Sequence, residues 1–375
     1  MPLKNELGDM NRVEKRGLVA AVATAILRLA GRLQSVLRRV FPGITPLTQW
    51  PEACYPTAPQ TLPDIARQPD LAILRKLCWA AQLAYEVGDS PRETDKLARI
   101  LRRWNWTTRH VFLPVDGSRR GVRGYIAETA TATVIAFSGT EPTNLTDWAT
   151  DLDFAPGDDP GIHGGFADAA ALIWDDILSA MRPSDSAGGN AAAGAPAPGR
   201  PLFLIGHSLG AAIAAITAFH LVESGLVDIT RLQAVTFGMP RTGLADFAAA
   251  YRGCGLAART WRLTQGADLV PLVPPYRIGF RHVGNLLACP HLGSFDLATL
   301  VADRPEPVPA LADLDSIKNF LRSLPLSIDT PPFPGSRLAV LLPRQFRDHL
   351  TDCYLRALGE RIGGERIGGE PSGGG

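Results

Sequence analysis

Apolar positions along this chain fall into two rhythms, one of period near 3.6 and one of short unbroken runs. Between residues 70 and 87, Leu71, Leu74, Leu77, Ala81 and Tyr85 recur at helical spacing, which predicts a helix with one buried face. Residues 106–115 and 124–128 read as a strand pair around the turn Asp116-Gly117. A third strand is predicted at 131–137, where β-branched residues cluster, and a helix at 165–181. Pro201-Leu202-Phe203-Leu204-Ile205 is an apolar run too brief for a helix, and Ala211-Ala212-Ile213-Ala214-Ala215-Ile216 soon follows in helix-compatible residues. Further strands are expected at 232–237 and 260–264, with helices at 242–251 and 343–358. Strand and helix alternate, so the expected class is α/β: a mainly parallel, doubly wound sheet with helices on both faces.

Punctuation in that pattern divides the chain. Residues 41–69 carry Pro42, Pro46, Pro51, Pro56, Pro59, Pro63 and Pro69 and read as an irregular connector behind a basic N-terminal helix, together spanning 1–69. A catalytic domain is expected over 70–358. It is interrupted by a flexible surface insertion at 184–200, almost wholly Ser, Ala, Gly and Pro, and by a Pro-rich, acidic excursion at 302–335. Residues 359–375 repeat Gly-Glu-Arg-Ile-Gly and lapse into glycine, a composition that buries nothing and is expected to be disordered.

The 375 residues are 46% apolar, enough for a sizeable core, and no run approaches the ~20 apolar residues of a membrane helix. Net charge is +1 without a basic block interleaved with aromatics, which excludes nucleic acid as the expected partner. Five scattered cysteines lack CxxC or Cys/His spacing, so thiols that are mostly free and buried are expected, with one disulfide left open. No metal-ligand spacing is present, and no cofactor is expected. At the N-terminus Lys15-Arg16 precedes an apolar stretch at 18–27, and Arg28, Arg32, Arg38 and Arg39 follow. Three readings stay open there: a secretory signal, a basic helix on an anionic membrane surface, or a helix packed on the domain or a loose leader. Arginines stand where a signal would need a small-residue cleavage site, which favours a cytoplasmic or peripheral-membrane protein over a secreted one.

Candidate chemistry centres on Gly206-His207-Ser208-Leu209-Gly210. A strand, a Gly-x-Ser-x-Gly turn and a helix make the setting of a nucleophile elbow, with the glycines relieving collisions across the turn. Ser208 needs a base and an orienting carboxylate. Asp268, at the end of the strand Trp261-Arg262-Leu263-Thr264, is the candidate acid. His282, His291 and His349 all follow it, and the residues alone divide the base between them, His282 and His349 above all.

Five blocks in order then show a resemblance. They are Ala136-Phe137-Ser138-Gly139-Thr140, Ile162-His163-Gly164-Gly165-Phe166, the elbow, Thr236-Phe237-Gly238-Met239-Pro240-Arg241, and Asp268-Leu269-Val270-Pro271. Over about 125–356 the chain resembles the class 3 lipases, which implies an α/β-hydrolase fold. The resemblance also selects His349, in Asp348-His349-Leu350, as base, and leaves His282 structural. It implies an oxyanion hole at Thr140 and Leu209, with Ser138 departing from the arginine usual before Gly-Thr. The interval from Asp268 to His349 is longer than the family's, and the 302–335 excursion accounts for it. Leu145, Trp148 and Leu152, spaced i, i+3, i+7 among aspartates, match the family's lid; a surface helix packed on the core has the same pattern. Val270, Leu272, Val273 and Ile278 are candidate lining for an acyl pocket. The implied function is serine hydrolysis of fatty-acyl esters such as triacylglycerol through an acyl-enzyme. Phospholipase A1 or soluble esterase activity are the alternatives, with a peptidase, a thioesterase or a non-catalytic binding protein behind them. The implied partners are a lipid or ester substrate and transient contact with a membrane or lipid-droplet surface. Oligomeric state is not legible.

Overall fold

A computed structural model describes residues 48–58, 60–63, 68–88, 91–113, 122–139, 161–181, 200–274, 276–304 and 344–360. Seven strands form one sheet whose spatial order follows the chain: β1 (Thr107–Phe112), β2 (Gly124–Glu128), β3 (Thr133–Phe137), β4 (Leu202–His207), β5 (Leu232–Phe237), β6 (Thr260–Gln265) and β7 (Asn285–Cys289). The first three run antiparallel, and β3 to β7 are parallel. This is the expected mainly parallel sheet, flanked by helices on both faces.

Eight helices accompany the strands among the described residues: α1 (Leu71–Leu83), α2 (Pro91–Arg103), α3 (Gly164–Leu172), α4 (Trp174–Met181), α5 (Leu209–Glu223), α6 (Ala245–Gly253), α7 (Arg344–Arg347) and α8 (Thr351–Ala357). Side chains of a strand alternate between faces, and β4 shows the result. Leu202 and Leu204 enter a core with α3, α4, α5 and α6, whereas Phe203 and Ile205 enter a second core with α1, α2 and α8. Helix α5 is buried almost all round by Ala and Ile, so it lies close against β3, β4 and β5. None of these helices is long and apolar enough to cross a membrane.

Three expected helices differ in detail. The 165–181 segment breaks at Ile173 into α3 and α4. The helix expected from 242 starts at Ala245, because Gly243 instead bridges Ile162 and Arg281. The helix expected over 343–358 is two short helices with an interruption at 348–350. Helix α2 and strand β7 lie where no element was expected. In the expected connector, Trp50, Tyr55 and Leu62 are buried in the α1 core. Glu86 secures the first two: its buried carboxylate accepts from the Trp50 N–H at 2.7 Å and the Tyr55 hydroxyl at 2.6 Å, and pairs with Lys96 at 2.6 Å. All five cysteines are free thiols. The insertion at 184–199, the excursion beyond residue 304, the tail beyond 360 and the N-terminal segment before 48 lie outside the described residues.

Candidate active site

Ser208 sits between β4 and α5 with φ 60° and ψ −129°, a backbone conformation disfavoured for a residue with a Cβ and costing about 1–3 kcal/mol. The two glycines permit it in different ways. A Cβ on Gly206 would run into the backbone of Gly210 and Ala211 across the turn. One on Gly210 would instead meet the end of β3, 2.5 Å from the Ser138 carbonyl oxygen. The Ser208 N–H is spent on Phe237 O at 2.9 Å, tying the elbow to β5. Leu209 opens α5, so its N–H belongs to the helix end that has no partner within the helix.

Asp268 follows β6, as expected, and is nearly covered. Its Oδ1 accepts from the Val270 N–H at 2.9 Å and its Oδ2 from the Tyr354 hydroxyl at 2.6 Å. His349 Nδ1 lies 2.9 Å from both carboxylate oxygens. Its Nδ1–H is therefore held toward the carboxylate and its Nε2 is left available as a base. Ser208 Oγ and His349 Nε2 are both buried and, among the described residues, without a hydrogen-bond partner. The two groups that proton transfer would connect are thus the unsatisfied ones here. Catalytic hydrogen bonds of this kind commonly tighten only when substrate binds.

Gly238, at the end of β5, is the floor of this arrangement. Its φ is +60°, and a Cβ there would come within 2.8 Å of Asp268 Oδ2 and 3.0 Å of the His349 ring. Gly139 is equally constrained, since a Cβ on it would lie 2.5 Å from both Ser208 Cβ and the Tyr85 hydroxyl. The end of β3 is thereby pressed against the serine. Thr140, the next residue, lies outside the described residues, as do Leu145, Trp148 and Leu152.

The other histidines have different work. His282 Nε2 donates to the Pro271 carbonyl at 2.8 Å, and burial, helped by Arg262 and Arg241, pushes its pKa well below the usual histidine value. His291 Nδ1 lies 2.8 Å from Asp348, whose carboxylate also accepts from the Ala267 N–H at 2.7 Å. Burial raises the Asp348 pKa. Of the candidate acyl-pocket residues, Val270 is buried, Leu272 and Val273 are half-buried and Ile278 is exposed. Arg241 shapes that loop, its backbone N–H donating to Val273 O at 2.8 Å and its guanidinium to Pro274 O at 2.9 Å.

Sequence reasoning missed Tyr85, His207 and Tyr354 as members of this site. Tyr85 was counted only on a helix face and His207 only as a position within the elbow. Their partners lie 122 and 142 residues away along the chain, a separation that no local pattern reports. Among the described residues no group of three or more His, Cys, Asp or Glu could hold a metal ion.

Residues 134–278 match the family described as Lipase (class 3), a span that contains Ser208 and Asp268 but not His349. The chain is 28% identical over 179 residues to a secreted mono- and diacylglycerol lipase 1 of Fusarium solani, covering 45% of this chain and 47% of that protein. It is 30% identical over 176 residues to the secreted mono- and diacylglycerol lipase A of Penicillium cyclopium, covering 45% of this chain and 52% of that one. The chain thus spans about half the length of these curated relatives. Among solved structures, a Rhizomucor miehei triacylglyceride lipase aligns with a TM-score of 0.49 at 20% identity, over 66% of this chain and 91% of that chain.

Proposed function

We propose, from a class 3 lipase match that carries residues 134–278, that this chain is a serine ester hydrolase acting on fatty-acyl esters through an acyl-enzyme. The observation that carries the reading is the Asp268–His349 pair, with His349 Nε2 unsatisfied and the strained, buried Ser208 at the elbow. In the proposed reaction Ser208 Oγ attacks the ester carbonyl carbon while its proton passes to His349 Nε2. Negative charge gathers on the former carbonyl oxygen, where the Leu209 N–H is one donor and the Thr140 N–H is assigned as the second. One such donor contributes about 3 kcal/mol to the transition state. The C–O bond to the alcohol breaks as His349 returns the proton to that oxygen. Water then attacks the acyl-enzyme and gives its proton to His349, which passes it to Ser208 Oγ as the acyl C–O bond breaks and the fatty acid leaves. Asp268 remains ionised, holding the imidazole in one tautomer and stabilising it when charged.

The test is hydrolysis of p-nitrophenyl esters of increasing acyl length, then of mono-, di- and triacylglycerol emulsions and phosphatidylcholine vesicles. Hydrolysis by the parent chain and its loss in Ser208→Ala, by roughly 10⁴-fold or more in kcat, is the expected result. A folded parent chain inactive on every one of these esters, with and without detergent, overturns the reading. Preference among the lipid arms identifies the substrate class.

A further inference from the structure

We infer that His207 is a positioning residue of this site: its imidazole, bridging the Tyr85 hydroxyl and the His349 backbone carbonyl, sets where the base sits relative to the nucleophile. The inference rests on reading Ser208 and His349 as nucleophile and base.

Hydrogen-bond accounting fixes the tautomer. His207 Nε2 is 2.6 Å from the His349 carbonyl oxygen, which can only accept, so the ring proton is on Nε2. Nδ1 is then an acceptor, and the Tyr85 hydroxyl, 2.6 Å away, donates to it. The ring is only 2% exposed, and burial, reinforced by the neighbouring His349, pushes its pKa well below the usual value, which keeps it neutral. Both ring nitrogens are thus committed, and His207 is not a rival base.

The placement gives this bridge its consequence. His207 is the last residue of β4 and pairs with Phe237 of β5, so its backbone is anchored in the middle of the sheet. It immediately precedes Ser208. His349 instead lies in the interruption between α7 and α8, where no helix or strand ladder holds the chain. One imidazole therefore spans from the residue before the nucleophile to the backbone of the base. The His207 and His349 rings are also in contact at a tilt, centroids 4.5 Å apart and planes 34° off parallel, with the Tyr354 ring 5.9 Å from His207. An apolar residue at 207 would fill the space but leave the buried His349 carbonyl without this donor.

Two amides separate the bridge from mere packing. A glutamine nitrogen reaches about as far as histidine Nε2, whereas an asparagine nitrogen reaches only as far as Nδ1. His207→Asn is expected to lower kcat on a p-nitrophenyl ester by about 10²-fold, the scale of a misplacement near 1 Å, with KM little changed. His207→Gln is expected to recover most of that loss, and thermal melts of both establish that they fold. His207→Asn performing as well as His207→Gln, whether both are active or both are impaired, overturns the inference. If the parent chain hydrolyses no ester, the functional reading fails on its own, and the bridge is then read by imidazole ¹⁵N NMR at neutral pH. A resonance set showing Nε2–H with Nδ1 as acceptor is expected for His207; the Nδ1–H tautomer overturns the bridge whatever the activity.

Discussion

The proposed nucleophile and the proposed base of this site are held by opposite means. Ser208 is fixed by backbone: a central strand, a turn that only glycines tolerate, and a helix packed on three strands. His349 is fixed by side chains reaching in from elsewhere, with His207 on its carbonyl, Asp268 on its ring, and Asp348 beside it bonded to Ala267 and His291. Backbone sterics are local and act through neighbouring residues. Side-chain tethers are long-range and each can be cut alone. The base segment is therefore the place where single substitutions separate folding from chemistry, and the elbow is where they do not.

The largest expected effect comes from the ion pair that holds the base segment itself together. Arg347 is buried with its guanidinium on Asp352 at 2.5 and 2.8 Å. Arg347→Met leaves the Asp352 carboxylate buried without that partner, and a loss of about 3–5 kcal/mol is expected in urea unfolding. A loss under 1 kcal/mol would mean that Arg356, 3.6 Å from the same carboxylate, suffices to hold the segment.

On the other side, Gly206→Ala puts a methyl into the Gly210 backbone. Crowding of this kind costs about 1–3 kcal/mol. Stability and ester hydrolysis should fall together, because the elbow cannot shift without moving β4. A variant with normal Tm and normal kcat would break the contrast between the two regions.

Acid sharpens the comparison with a smaller effect. His207 and His282 have pKa values lowered by burial, so the stability they contribute is present above about 6.5, the ordinary histidine value, and is lost as pH falls toward their folded values. Each contributes a slope of about 1.4 kcal/mol per pH unit in that window. Asp348 carries the opposite sign: its raised pKa gives a contribution present at low pH and lost as pH rises through the folded value. His282→Gln keeps a donor for Pro271 and removes one titration. Its urea-unfolding free energy should therefore fall less than that of the parent chain between pH 7 and pH 5. An unchanged slope would show that His282 does not stay neutral in the fold.

The same contrast explains what was legible in the sequence. Strand β5 was read to the residue, β4 with its elbow nearly so, and α5 in place though not in length, since alternation, glycine spacing and small helix formers are local signals. Helix α2 was overlooked although Leu97, Ile100 and Leu101 are its buried face. Its charged majority and the adjoining turn residues hid a stripe of only three apolar positions. The single helix expected over 343–358 failed for a physical reason. Asp348 turns its carboxylate to Ala267 and His291, and that tertiary bond prevails over helical propensity at the point where His349 must face Asp268. Choosing His349 over His282 needed a family resemblance, because nothing near either histidine records which carboxylate it will meet.

One consequence of drawing the base from residue 349 concerns the order of manufacture. The elbow and the carboxylate are synthesised first, and 81 residues separate Asp268 from His349. At roughly 5–20 residues per second the ribosome takes about 4–16 s to cover that interval. Throughout it the nascent chain holds the proposed nucleophile without its proposed base. On the proposed reading the arrangement works as a built-in delay: the last side chain to arrive arms the site, and a product of translation that stops short of residue 349 would be inert.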